Sequence, residues 1–114
     1  MDRRDIDATL PLTPKVLHIL MALAAEPMNG YQLGLRVEET SRGTIRMSPG
    51  TLYENVHRLA ERGLIGDAGD AGPSDGRGQR YYTLTAMGLE VLKAEVARLA
   101  ADLSLARSLP ALGT

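Results

Sequence analysis

The chain has no cysteine, no tryptophan and no phenylalanine, and tyrosine is its only aromatic residue of the benzenoid kind. Without thiols it can form neither a disulfide nor a thiolate metal site, which fits a reducing, cytoplasmic compartment. Its two histidines, His18 and His57, stand alone. There is no His-Glu-x-x-His run and no phosphate-cradling glycine loop followed by Lys-Ser/Thr. No catalytic residue, cofactor or metal is therefore expected. No apolar run approaches the ~20 residues of a membrane span. The segment from Met1 to Asp7 mixes acids with bases and leads to no apolar stretch before Pro11, unlike a secretory signal. The formal net charge of −1 speaks against a protein that coats nucleic acid non-specifically, although a sequence-specific reader needs positive charge on one face only.

What the chain does have is 114 residues, 44% of them hydrophobic, enough for one domain with a single small core. Residues 1–12 read as an arm that Ile6, Leu10 and Leu12 could anchor to a neighbour. Thr13-Pro14 is a cap followed by a proline at the first helical position, so a helix starts there. Val16, Leu17, Ile19, Leu20 and Leu23 make it apolar over a wide arc. His18 within it reads as a structural histidine, since no second ligand lies one turn away. Glu26 to Gly30 is a break, and a second helix runs from about Gly30 to Thr40. Gly34 inside it costs on the order of 1 kcal/mol against alanine, for which close packing is a reason. Glu38 and Glu39 are adjacent, point apart, and form no acid–base pair. Ser41-Arg42-Gly43 closes this helix, and the alternation in Thr44-Ile45-Arg46-Met47 predicts a short strand.

The most informative stretch follows. Ser48 is a good N-cap, Pro49 sits at the first helical position, and Leu52, Val56 and Leu59 mark a buried stripe. Gly63 ends the helix where a left-handed residue is wanted. The outer face then carries Thr51, Glu54, Asn55, Arg58, Glu61 and Arg62, with Tyr53 and His57 at its margins. Hydroxyl, amide and guanidinium groups near a helix start can read base edges and phosphates. The same groups also suit an ordinary solvated face. Gly66 to Gly78 cannot build a core and reads as a flexible loop, after which Gln79 to Leu84 alternates as a strand. Ile65 to Leu84 is thus a hairpin wing with Arg77 at its tip and Arg80 at its base. Arg77 suits a phosphate or the minor groove. The acids Asp67, Asp70 and Asp75 equally suit a solvated loop. Thr85 caps the last helix, in which Leu89, Leu92, Val96, Leu99 and Leu103 recur at spacings of three and four, flanked by Lys93, Glu95, Arg98 and Asp102. That is a coiled-coil seam, and it predicts a homodimer unless the helix packs on the first helix of its own chain.

Several runs together resemble the PadR-type transcriptional regulators. They are Asn29-Gly30-Tyr31, Ser48-Pro49-Gly50-Thr51-Leu52-Tyr53, Arg58-Leu59 with Gly63-Leu64-Ile65, and Arg80-Tyr81-Tyr82-Thr83-Leu84-Thr85 with Gly88. The likeness spans residues 12–105 and is to the short subfamily with a single C-terminal dimerisation helix. It implies a mainly α fold with a small β-hairpin wing. The divisions are an arm (1–12), a winged helix-turn-helix (13–84), a dimerisation helix (85–109) and a frayed tail (110–114). It implies a cytoplasmic, dimeric repressor on an inverted-repeat operator in double-stranded DNA, released by a small aromatic or hydrophobic effector. The candidate DNA-binding set is Ser48, Thr51, Tyr53, Asn55, Arg58, Arg46, Arg77 and Arg80; the dimerisation set is Leu89, Leu92, Val96, Leu99 and Leu103. Asn29 replaces the histidine of many members, the wing is unusually acidic, and the last helix offers Leu, Val and Ala rather than aromatic rings to an effector. A module that senses a ligand or binds a protein without touching DNA is the alternative.

Overall fold

The computed structural model describes residues 2–69 and 80–113. A short helix α1 (Arg3–Asp7) is opened by a capping box between Asp2 and Asp5. Helix α2 (Pro14–Ala25) starts where expected, the Thr13 hydroxyl accepting from the Val16 N–H. Strand β1 (Met28–Asn29) leads into α3 (Gly30–Thr40), where the Asn29 and Gln32 side chains cap each other's backbone N–H. Helix α4 (Pro49–Glu61) is capped by Ser48 and followed by Gly63 at φ +78°. Strands β2 (Ile65–Gly69) and β3 (Tyr81–Leu84) precede α5 (Ala86–Arg107). The sheet is antiparallel in the order β1-β3-β2.

The wing hairpin is present, with Ile65 opposite Leu84 and a bulge between Asp67 and Gly69; its tip, with Arg77, lies outside the described residues. The strand expected over Thr44 to Met47 is not formed. Arg42 and Gly43 both take positive φ, and the Ser41 hydroxyl accepts from the Ile45 N–H while the Thr44 hydroxyl donates to the Ser41 carbonyl. These local bonds satisfy the backbone in a turn and drop Ile45 into the core. The edge of the sheet is instead taken by β1, Met28 pairing with Tyr82 and Asn29 with Tyr81, inside the stretch read as a break.

The core is built from Ile19, Leu20 and Leu23 of α2, Leu33 and Val37 of α3, Leu52, Val56 and Leu59 of α4, Leu64, Ile65, and Val91 and Leu92 of α5. Full burial of each such side chain contributes about 1.5–3 kcal/mol. Helix α5 is 22 residues long, about 33 Å. Its inward face is Gly88, Val91, Leu92 and Glu95, and it packs on α2 of the same chain. Of the five seam residues only Leu92 enters this core; Leu89, Val96, Leu99 and Leu103 face solvent. Beyond Arg107, where a frayed tail was expected, Pro110–Leu112 form one 3-10 turn closed by Gly113 at φ +59°.

Glu95 does not simply flank the seam, as its spacing predicts, but turns into the core with Val91 and Leu92. It is 1% exposed, accepts the Leu12 N–H at 2.7 Å and pairs with Arg98 at 2.5 Å. Arg98 also bonds Asp102. The hydrogen bond from Arg98 holds the Glu95 carboxyl below its usual value; burial opposes the shift and the Leu12 amide assists it. A backbone N–H at position 12 leaves no mark in the side-chain pattern, so nothing in the sequence announced this contact. The arm therefore folds back on its own chain, where Ile6, Leu10 and Leu12 pack against the core.

Candidate nucleic-acid interface

Helix α4 turns Leu52, Val56 and Leu59 inward, which leaves Gly50, Glu54, His57 and Glu61 along its outward spine. Thr51, Asn55 and Arg58 lie on one flank and Tyr53 on the other. The Ser48 hydroxyl caps the helix, accepting the Thr51 N–H at 3.2 Å and lying 3.1 Å from the Thr51 hydroxyl. The Asn55 amide donates to the Thr51 carbonyl at 2.9 Å, so its NH2 group is engaged by its own helix. Thr51, Asn55 and Arg58 share a wide groove with Lys15 and His18 of α2. His18 is held by the Thr40 hydroxyl at 2.9 Å, in keeping with a structural histidine. Sequence reasoning passed over Lys15, an exposed cation beside this groove, because its position depends on how α2 crosses α4.

Tyr53 leans the other way. Its ring lies across Gly30, where a Cβ would come within 2.6 Å of the phenolic oxygen. The bare glycine at the start of α3 thus seats a tyrosine of α4, and the ring stays half exposed. Arg80 and Tyr82 of the wing line the hollow beside it, with Asn29, Gly30 and Tyr31. The Tyr82 phenol is raised above its ordinary value, first by burial, then by Tyr53 and against Arg80. It stays a neutral hydrogen-bonding group at physiological pH. Arg46 stands apart from both clusters, next to the C-terminal half of α3.

Each described arginine of the candidate set has a carboxylate partner: Arg58 with Glu54 at 2.7 Å, Arg46 with Glu38 at 3.7 Å and Arg80 with Asp67 at 3.3 Å. All three pairs are exposed. Such pairs contribute only a few tenths of a kcal/mol to stability, so an incoming phosphate can displace the carboxylate at little cost. Among the described residues no group of His, Asp and Glu is arranged to hold a metal ion, and no helix is long and apolar enough to cross a membrane.

A capped helix presenting a polar face, preceded by a shorter helix and followed by a two-stranded hairpin, is a winged helix-turn-helix with a long C-terminal helix. The chain belongs to the transcriptional regulator PadR-like family, whose model matches residues 19–94. The match begins inside α2 and ends inside α5, leaving out the arm and the outer half of α5. It is similar to Transcriptional regulator Rv3488 of Mycobacterium tuberculosis, with 40% identity over 76 residues, 67% of this chain and 66% of that protein. The matched segment thus spans just under two thirds of that relative's length. Among solved structures, a PadR family transcription regulator from Clostridium difficile superposes with a TM-score of 0.72 at 22% identity, over 84% of this chain and 97% of that one. PadR of Bacillus subtilis, crystallised with operator DNA, superposes with a TM-score of 0.63 at 20% identity, over 75% of this chain and 48% of that one.

Proposed function

We propose that the protein is a dimeric, sequence-specific DNA-binding regulator that represses transcription and releases its operator on binding a small aromatic or hydrophobic effector. The observation that carries this reading is the outward face of α4. It offers a capped, side-chain-poor first turn, the Thr51 hydroxyl and the Arg58 guanidinium, with Lys15 on one side and the wing's Arg80 on the other. The operator complex of Bacillus subtilis PadR, which shares the fold, supports it. In a dimer the two α4 helices would enter successive major grooves roughly 34 Å apart. The exposed row of Leu89, Val96, Leu99 and Leu103 supports a second copy of the chain as its cover. For an effector the described residues offer a hollow of about 320 Å³ between α3 and α4, lined by Tyr31, Leu35, Met47 and Tyr53. The cytoplasm is where such a regulator works.

The test is a fluorescence-anisotropy titration of the protein against its own upstream intergenic DNA, with scrambled competitor, at two salt concentrations. Saturable, salt-sensitive binding that prefers the upstream DNA is expected, and Arg58→Ala should weaken it. Equal affinity for both DNAs would refute sequence-specific recognition. The carboxylate held by every described arginine of the set favours one second reading, a ligand-sensing or protein-binding module that uses the same surface without DNA. It predicts no saturable binding at moderate salt.

A further inference from the structure

Glu54 belongs to none of the groups expected to meet DNA, yet it occupies the most forward-facing position that a long side chain holds near the start of α4. Gly50, one turn earlier on the same spine, has open space where a Cβ would stand, with no atom within 4 Å. The first turn can therefore approach a surface closely, and Glu54 is the first long side chain to meet it. An ionised carboxylate only accepts hydrogen bonds. Between two phosphate backbones it is repelled unless a base offers a donor. The major groove presents two such donors, the N4 amino group of cytosine and the N6 amino group of adenine.

Arg58 decides between them. Its Nη2 lies 2.7 Å from Glu54 Oε1, so an acceptor and a forked donor stand side by side. A C·G pair shows, in order, the N4 donor of C and the O6 and N7 acceptors of G. The N4 and O6 atoms are hydrogen-bonded to each other, hence about 2.9 Å apart, close to the spacing of the side-chain pair. An A·T pair instead places acceptors on both sides of its one donor and a methyl group beyond. We infer that Glu54 and Arg58 act as one unit that reads a C·G base pair in each half-site, Glu54 accepting from cytosine N4 and Arg58 donating to guanine O6 and N7. This rests on the DNA-binding reading and assigns to Glu54 the role of specificity determinant.

The experiment is selection of duplexes from a random library by the full-length protein, followed by anisotropy titrations on the selected duplex and its single base-pair variants. Wild-type protein should select a motif with a C·G pair at one position per half-site, and replacing that pair by A·T should weaken binding roughly 5- to 150-fold. Glu54→Ala should lose the share of the C·G preference that cytosine N4 supplied while Arg58 still reads guanine, and should bind scrambled DNA more tightly, having lost a negative charge. Glu54→Gln keeps the size and helix-forming tendency of the side chain. It should narrow the gap between C·G and A·T, since a carboxamide pairs with adenine N6 and N7 while Arg58 still donates to guanine. If both variants discriminate C·G from A·T as strongly as the wild-type protein at every position of the motif, the assignment is overturned. If wild-type protein selects no motif, sequence-specific DNA binding itself is refuted, and the assignment falls with it.

Discussion

Gly34 and Gly88 both lie inside helices, and replacing each with alanine should move stability in opposite directions. At Gly34, in the middle of α3, a Cβ would sit 3.5 Å from Leu52 Cδ2, an ordinary contact. Alanine there gains helix propensity of about 0.8–1 kcal/mol and displaces nothing. At Gly88, in the first turn of α5, a Cβ would fall 2.2 Å from the Leu64 carbonyl oxygen and 2.7 Å from Leu84 Cδ1. A carbon approaches a carbonyl oxygen no closer than about 3.3 Å, so α5 would have to retreat by about 1 Å. The Leu64 carbonyl cannot simply yield, because it accepts the Thr85 N–H at 3.2 Å and precedes the buried Ile65. Forced overpacking of this kind costs about 1–3 kcal/mol, and a weakened backbone hydrogen bond about 1 more. The propensity gain of up to about 1 kcal/mol offsets part of that.

Gly34→Ala should therefore stabilise by about 0.5–1 kcal/mol and Gly88→Ala destabilise by about 1–3 kcal/mol. Urea unfolding followed by circular dichroism separates them, since a slope of about 1–2 kcal/mol/M places the two midpoints roughly 1 M or more apart. Protein concentration must be held fixed, because association adds to apparent stability. Midpoints that shift in the same direction would refute the claim that these two glycines differ in the space around them.

The Glu95 carboxyl, held below its usual value in the fold, contributes its stabilisation fully above the ordinary glutamate range and loses it as pH falls through the lower folded value. Thermal melts from about pH 7 to 3 should show this loss at the acid end. Glu95→Gln should flatten it and speed hydrogen exchange at the Leu12 amide. Val96→Glu with Leu99→Glu puts charge into the exposed row of α5 and should convert a dimer to a monomer in sedimentation velocity; an unchanged sedimentation coefficient would remove that row from the interface. Glu38→Gln with Asp67→Asn frees Arg46 and Arg80 of their carboxylates. It should raise affinity for scrambled DNA and steepen the salt dependence while leaving base preference as it was.

Local rules made most of the helical frame legible. Thr13-Pro14, Asn29, Ser48-Pro49 and Thr85 are caps whose side-chain oxygens satisfy the first-turn N–H groups, and α2 to α5 begin directly after them. The stripe Leu52, Val56, Leu59 gave the buried face of α4 for the same reason. What escaped the sequence depended on distant partners. A two-residue strand at Met28–Asn29 has no alternation to read and exists because β3 lies beside it. Thr44 to Met47 alternates as a strand should, yet Ser41 captures its backbone first. The a/d spacing of α5 is real, but the face that enters the core is turned from it toward Gly88, Val91 and Glu95, because the helix must also pack on α2. The partners of Arg58 and Arg46 differ in the same way. Glu54 lies one turn from Arg58 and could be foreseen, whereas Glu38 reaches Arg46 only through the turn at Arg42 and Gly43.

A net charge of −1 and a DNA-facing role are compatible because of where the carboxylates stand. Long-range attraction to a polyanion follows overall charge, and here it is weak. Contact attraction follows local charge, and each exposed pair releases its arginine for a cost of only a few tenths of a kcal/mol. Phosphate contacts at Arg46 and Arg80 would then form at little cost, each as its own carboxylate is pushed aside. Glu54 is the exception, because the groove into which α4 would point has a donor for it only at particular base pairs. On the reading proposed above, a negative charge placed there would convert a general attraction into a condition on sequence and let a face with so little net positive charge discriminate between sites.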